Sequence, residues 1–206
     1  DLQTPITRMR LRVDMMDAEA EGAKLRQDLQ EMEALVKEGV TYARTLHGAT
    51  ETPCRIDPDA LFDSLVCDYV DADQAVSLHG RFDMPLMTRP QALRRIVGNL
   101  VDNALKFGGA AQIEIAMSPD KHATISVLDR GPGIPAESLE DVFQPFYRIE
   151  GSRNRQTGGT GLGLAIARQL ALAMDATLEL HNRVGGGLEA RLTLRNLVKA
   201  SPATVE

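Results

Sequence analysis

Leu2, Ile6, Met9, Val13 and Met16 recur at alternating spacings of four and three residues, the seam of a packed helix. Asp17-Ala-Glu-Ala-Glu-Gly22 breaks the rhythm and suits a turn. Leu25, Leu29, Met32, Val36, Val40 and Ala43 then resume it, ending near Gly48. The pattern predicts an antiparallel helical hairpin. Two such helices cannot enclose their own apolar stripes, so a second copy of the chain is expected to complete a dimeric four-helix bundle. The alternative is a hairpin that packs on its own domain.

Ala49 to Pro53 is short and polar and reads as the domain boundary, after which helix and strand periods alternate. Asp57-Pro58-Asp59 predicts a helix start, with proline near the first turn, running to about Val70. Short strands are expected at Ala75–Leu78 and Arg81–Asp83, and a long helix from Arg89-Pro90 to about Phe107. Ala111–Met117 and Ala123–Leu128 read as paired strands, and Gly161–Met174 as a helix. Thr177–His181 and Leu188–Leu194 read as a closing hairpin through Gly185-Gly-Gly187. The fold class is therefore α+β: the hairpin, then helices and a mixed sheet in two layers, an α/β sandwich.

Composition narrows the function. At 206 residues and 43% hydrophobic, the chain holds one ordinary domain with an appendage, or two small ones. A net charge of −6 argues against a general nucleic-acid binder, which carries a basic stripe. Cys54 and Cys67 are too few for a disulfide framework and read as free thiols in a reducing cytosol. No apolar stretch approaches the roughly 20 residues that span a bilayer. The nearest, Leu162 to Met174, is interrupted by Arg168 and Gln169, and no signal peptide stands at the start.

Three segments offer groups that could meet a ligand. On the long helix Asn99, Asn103 and Lys106 share one stripe, while Leu93, Val97, Leu100 and Ala104 take the opposite, core-facing side. Two carboxamides and a lysine can offer oxygens to Mg²⁺ and an ammonium to phosphate, or simply form a solvated face. Asp129 follows the apolar run Ile125-Ser-Val-Leu128 and precedes Arg-Gly-Pro-Gly133. Its carboxylate can accept from an exocyclic amine, with glycines letting backbone approach a flat ring, or the segment is an ordinary turn. Gly158-Gly-Thr-Gly-Leu-Gly163 leads into a helix, whose N-terminal N–H groups and dipole suit phosphate. A Rossmann loop requires an apolar strand just before the glycines, and the polar run Gly151–Thr157 stands there instead. There is no Gly-Lys-Ser/Thr P-loop and no protein-kinase catalytic loop.

Asn99–Phe107, Asp129–Gly133, Phe143-Gln-Pro-Phe-Tyr147 and Gly158–Gly163, in this order, resemble the N, G1, F and G2 boxes of sensor histidine kinases, within the GHKL ATPases. Asp1-Leu-Gln-Thr-Pro-Ile6 is similar to the phosphoacceptor box of the same kinases, beginning just after the place of the acceptor histidine. The natural protein is therefore expected to extend further N-terminally. His47, His79, His122 and His181 all lie outside an acceptor context. The resemblance implies that Asn103, often assisted by Asn99, binds Mg²⁺, that Lys106 reaches phosphate, and that Asp129 reads the adenine amino group. It further implies that Gly131, Gly133, Phe107, Ile134 and Tyr147 belong to the nucleotide pocket. Gly159, Thr160, Gly161, Leu162 and Gly163 are implied on the phosphate side, with Arg148, Arg153 and Arg155 on a mobile lid running from about Tyr147 to Thr157. The phenylalanines of the F box are expected to anchor that lid by packing. Asp1 would activate the neighbouring imidazole, and Thr4 would orient water for dephosphorylation of the partner. The plain account of Thr4-Pro5, an N-cap followed by proline at the first helical position, stays open beside it.

The implied protein is the kinase core of a two-component sensor. Residues 1–48 form the dimerisation and phosphotransfer hairpin, 54–197 the ATP-binding catalytic domain and 198–206 a tail. ATP and Mg²⁺ are its cofactors, and a second copy and a response-regulator receiver domain its partners, with no nucleic acid. It would be the cytoplasmic portion of a bacterial inner-membrane sensor, reaching the membrane only through an upstream region. Another GHKL ATPase, or a scaffold with a degenerate pocket, are the alternatives.

Overall fold

The computed structural model describes residues 51–118, 122–149 and 160–195, with residues 25, 29, 32, 33, 35–40, 42 and 43. Two helices begin where side chains satisfy their first N–H groups. Asp57 accepts from the N–H groups of Asp59 and Ala60 at 3.0 and 3.2 Å, opening α1 (Pro58–Asp71) with proline in its first turn. The next helix, α2 (Pro90–Gly108), has no cap of its own at Arg89. Glu51 supplies it from far upstream, accepting from Gln91 at 3.1 and 3.0 Å and from Ala92 at 3.1 Å. Arg89 in turn donates to the carbonyl of Glu51 at 2.7 Å. The polar stretch read as a boundary thus fastens one side chain onto the helix below it.

Five strands form a mixed sheet in the order β2-β4-β5-β7-β6: β2 (Val76–His79), β4 (Ala111–Met117), β5 (Ala123–Leu128), β6 (Thr177–Asn182) and β7 (Leu188–Leu194). Only the β2–β4 pair is parallel. A separate antiparallel ribbon joins β1 (Cys54–Ile56) to β3 (Leu86–Thr88). Side chains alternate along β4, with Ala111, Ile113 and Ile115 buried and Gln112 and Glu114 half-buried on the opposite face. Against the apolar face lie α2 and α3 (Gly163–Ala173), and α1 packs beside β2. Leu93, Ile96, Val97, Leu100, Val101 and Ala104 of α2 are all buried. Each larger one contributes about 1.5–3 kcal/mol on leaving water, which fixes the rotation of α2. A left-handed Gly109 ends that helix, its N–H bonded to Leu105 O at 2.9 Å.

One expected strand is absent. At Arg81–Asp83 the N–H groups of Phe82 and Asp83 donate to the Asp59 carboxylate at 2.9 and 3.0 Å, and Asp83 has φ +54°. A side chain from α1 takes the bonds a neighbouring strand would need, and Phe82 stacks on Phe62 with centroids 5.7 Å apart. The extended segment comes a few residues later, as β3, and its partner β1 was not expected. Within the span of the expected hairpin, residues 35–40 are helical, Leu29 is buried, and Leu25, Met32, Leu35 and Val40 are exposed. Its first helix and turn lie outside the described residues.

Candidate functional site

The buried side of α2 turns Asn99, Asn103 and Lys106 toward a cavity of about 890 Å³. That volume is at the upper end of what small-molecule and cofactor sites enclose. Asn99 donates through Nδ2 to Gly163 O at 3.0 Å, joining α2 to the start of α3. The Asn103 side chain makes no hydrogen bond with another of the described residues. The Lys106 ammonium lies 4.8 Å from the Phe107 ring centroid. Partial loss of water and the nearby Arg148 guanidinium lower its pKa below the ordinary lysine value, with Glu38 opposing.

Asp129, at the end of β5, is buried to 6% exposure. Its Oδ1 accepts from Gly131 N–H at 2.7 Å and Leu188 N–H at 3.1 Å. Oδ2 accepts no bond from a described residue, so one carboxylate oxygen is fixed by backbone and the other is available to the cavity Asp129 lines. The close fit shows at the glycines. A Cβ on Gly108 would stand 2.8 Å from Asp129 Cβ, and one on Gly131 would stand 2.8 Å from Phe107 O. Asp129 therefore sits beside the C-terminal end of α2, whereas Asn99 and Gly163 meet nine residues earlier, about 13 Å along the axis. The cavity thus has a carboxylate end and a carboxamide end.

Arg148 and Thr160 flank the segment between 149 and 160 and both line the cavity. Thr160 Oγ1 accepts from Leu162 N–H at 3.2 Å and donates to Glu38 of the upstream helix, which also lines the cavity. Tyr147 bonds Ser138 through its hydroxyl at 3.3 Å. The two F-box phenylalanines part company. Phe143 is buried with the Arg168 guanidinium 4.5 Å from its centroid, and Arg168 pairs with Glu140 at 2.7 Å. Phe146 is 60% exposed at φ +65°, its N–H donating to Gly161 O at 3.0 Å, so it anchors by backbone rather than by packing. Gly161, at φ +74°, leaves no room for a Cβ, which would lie 2.9 Å from the Phe146 carbonyl carbon.

Of the residues singled out from sequence, Asn99, Asn103, Lys106, Phe107, Asp129, Gly133, Ile134, Tyr147, Arg148, Thr160, Gly161 and Gly163 line this one cavity. Gly131 and Leu162 do not. Gly131 supplies the close approach to α2, and Leu162 is fully buried with its N–H spent on Thr160. Asp1, Thr4, Arg153, Arg155 and Gly159 lie outside the described residues. Sequence reasoning missed Glu38, Asp102 and Leu188 on the lining, and Asn182 and Arg183 behind the Asp129 loop. Asp102 stands one position off the asparagine stripe, and nothing in the sequence marks Glu38. Among the described residues no group of three or more His, Cys, Asp or Glu could hold a metal, and no helix is long and apolar enough to cross a membrane.

Residues 88–197 match the family described as histidine kinase-, DNA gyrase B-, and HSP90-like ATPase. The sensor histidine kinase GtrS of Pseudomonas aeruginosa is 38% identical over 199 residues, covering 96% of this chain and 40% of its own length. Sensor protein RstB of Escherichia coli K12 is 35% identical over 200 residues, 91% of this chain and 45% of its own. The chain thus spans less than half the length of these curated relatives. Among solved structures, full-length ShkA in complex with AMPPNP shares the fold at TM-score 0.72 and 20% identity, over 98% of this chain and 47% of that one. The Acinetobacter baumannii histidine kinase AdeS does so at TM-score 0.68 and 21% identity, over 94% and 95% of the two chains.

Proposed function

From the premise that this chain belongs to the histidine kinase-, DNA gyrase B-, and HSP90-like ATPases, and among them to the sensor histidine kinases, we propose that it is the part that binds Mg·ATP and phosphorylates a histidine. The observation that carries this reading is the two-ended cavity: a buried carboxylate with one free oxygen beside the end of α2, and two carboxamides with a lysine along the same helix. Asp129 Oδ2 accepts from the adenine amino group while Oδ1 stays on the backbone. Lys106 neutralises phosphate charge, and Arg148 with the lid arginines Arg153 and Arg155 adds to it on closure. The unpartnered Asn103 carboxamide oxygen, with Asn99 beside it, fits a Mg²⁺ ion that takes its other ligands from water and phosphates. Such an ion, when bound, supplies charge neutralisation between the phosphates.

Residues 1–48 are the hairpin that dimerises and presents the acceptor histidine ahead of Asp1, residues 54–197 the catalytic domain, and 198–206 the tail. Asp1 holds the imidazole proton and Thr4 orients a hydrolytic water. The chain's residues act mainly by placing the γ-phosphoryl in line with the imidazole and balancing charge, as phosphoryl transfer requires. A response-regulator aspartate then takes the phosphoryl group, and the sensor's membrane part lies upstream. The test has two readouts: titration of this chain with Mg·ADP, and transfer from γ-labelled ATP in a protein that includes the residue before Asp1. Saturable binding with acid-labile, base-stable label is expected. Absence of nucleotide affinity in the folded protein would overturn the reading.

A further inference from the structure

The loop 129–134 hangs between two points, and both are gripped from behind by consecutive residues at the end of β6. Asn182 donates through Nδ2 to Ile134 O at 2.6 Å and accepts through Oδ1 from Ile134 N–H at 2.9 Å. These partners fix the orientation of its amide, since a carbonyl can only accept and an N–H can only donate. Arg183 donates through Nη1 to the backbone carbonyl of Asp129 at 2.6 Å. The same corner then folds back through Arg183 N–H to Gly187 O at 3.0 Å and delivers the Leu188 N–H to Asp129 Oδ1. The fit leaves no slack. A Cβ on Gly133 would stand 2.6 Å from Asn182 Oδ1, and one on Gly187 would stand 2.1 Å from Asp129 O.

We propose that Asn182 and Arg183 are positioning residues that set base selectivity without touching the base. Neither lines the cavity. Their side chains are not needed for the β6–β7 ladder, whose register runs Asn182↔Leu188 to Thr177↔Thr193 through backbone alone. What they hold is the backbone on either side of the turn that aims the Asp129 carboxylate. A single hydrogen bond to a buried carboxylate discriminates between bases only while that oxygen is held within a fraction of an ångström of its partner. With both grips removed, the loop keeps its sequence and its carboxylate but loses the pre-set aim, and part of the binding free energy goes into ordering it.

The inference rests on the adenine-nucleotide reading of the cavity, and the experiment separates the two. ADP and purine riboside diphosphate, which lacks the 6-amino group, are titrated into the parent protein, Asn182→Ala and Arg183→Met. In the parent the ratio of the two affinities measures what the amine is worth. ADP affinity is expected to fall about threefold in Asn182→Ala and about tenfold in Arg183→Met, the low end of the scale for the neutral pair of hydrogen bonds and the charged one that they remove. Purine riboside diphosphate should lose less, so the ratio shrinks in both variants, and Arg183→Lys should restore part of it. Asn182→Asp, isosteric but without the donor, gives the same test should the alanine variant fold poorly. A merely structural role would weaken both ligands equally, and an unchanged ratio in a parent that binds ADP overturns this inference alone. No ADP binding by the parent overturns the nucleotide reading and the inference with it.

Discussion

Replacing Asp129 with Asn changes one atom, and the structure dictates which way the new amide must face. Oδ1 accepts two backbone N–H bonds, at 2.7 Å from Gly131 and 3.1 Å from Leu188, so the amide oxygen has to take that place. The NH₂ group is left where Oδ2 stood, and a donor then meets the adenine amine, itself a donor. The variant loses one hydrogen bond to a charged acceptor, worth about 1.5–3 kcal/mol, or about 10- to 150-fold in Kd. The same NH₂ is complementary to a carbonyl at the purine 6-position, so inosine diphosphate should lose much less than ADP and could gain. Calorimetric titration of both nucleotides into both proteins measures the exchange, and a melting curve controls for folding. ADP affinity within twofold of the parent, or an equal loss for the two nucleotides, would refute the assignment of Oδ2 to the base.

Three further expectations concern the rest of the site and its support. Asn103→Ala should weaken Mg·ATP binding and transfer while leaving metal-free nucleotide binding nearly unchanged; equal losses with and without the ion would remove Asn103 from the metal. Lys106 is lowered below the usual lysine value, so its charge is lost as pH rises through that lowered pKa. Triphosphate affinity should therefore fall at alkaline pH, earlier than an ordinary lysine would lose its charge, and Lys106→Gln should flatten that fall; an unchanged profile would show the ammonium is not in contact with phosphate. Glu51→Ala removes the N-terminal cap of α2, costing about 1 kcal/mol and a few degrees of Tm by thermal melting. A Tm within a degree of the parent would mean that water caps the helix as well as Glu51 does.

The strong periodic elements were legible in the chain because burial and local chemistry agree there. The α2 stripe, the β4–β5 pair and the β6–β7 hairpin are found within a residue or two of the spans their patterns predict. The segment at Arg81–Asp83 was misread because a carboxylate one helix away, Asp59, claims its N–H groups, and no local pattern records a bond to a distant side chain. The cap on α2 was hidden for the same reason. At the site, the motifs indicated which side chains gather but not their division of labour. Leu162 belongs to a glycine-rich run yet is buried, while Asn182 and Arg183 look like ordinary strand-end residues and act on a loop some 50 positions away. That Asn103 and Lys106 share a face was readable from helical spacing, since 3.6 residues per turn places them on one line, but spacing alone could not tell a cavity wall from a solvated face.

The anchorage of Glu51 has a mechanical corollary. At residue 51 the chain is fastened, because the Glu51 carboxylate is clasped by the opening turn of the helix that bears Asn99, Asn103 and Lys106. Residue 51 is thereby joined to the first turn of the same rigid helix that lines the cavity further along. Lengthening the chain on the upstream side of that clasp would leave the grip unchanged, whereas removing the carboxylate would release it.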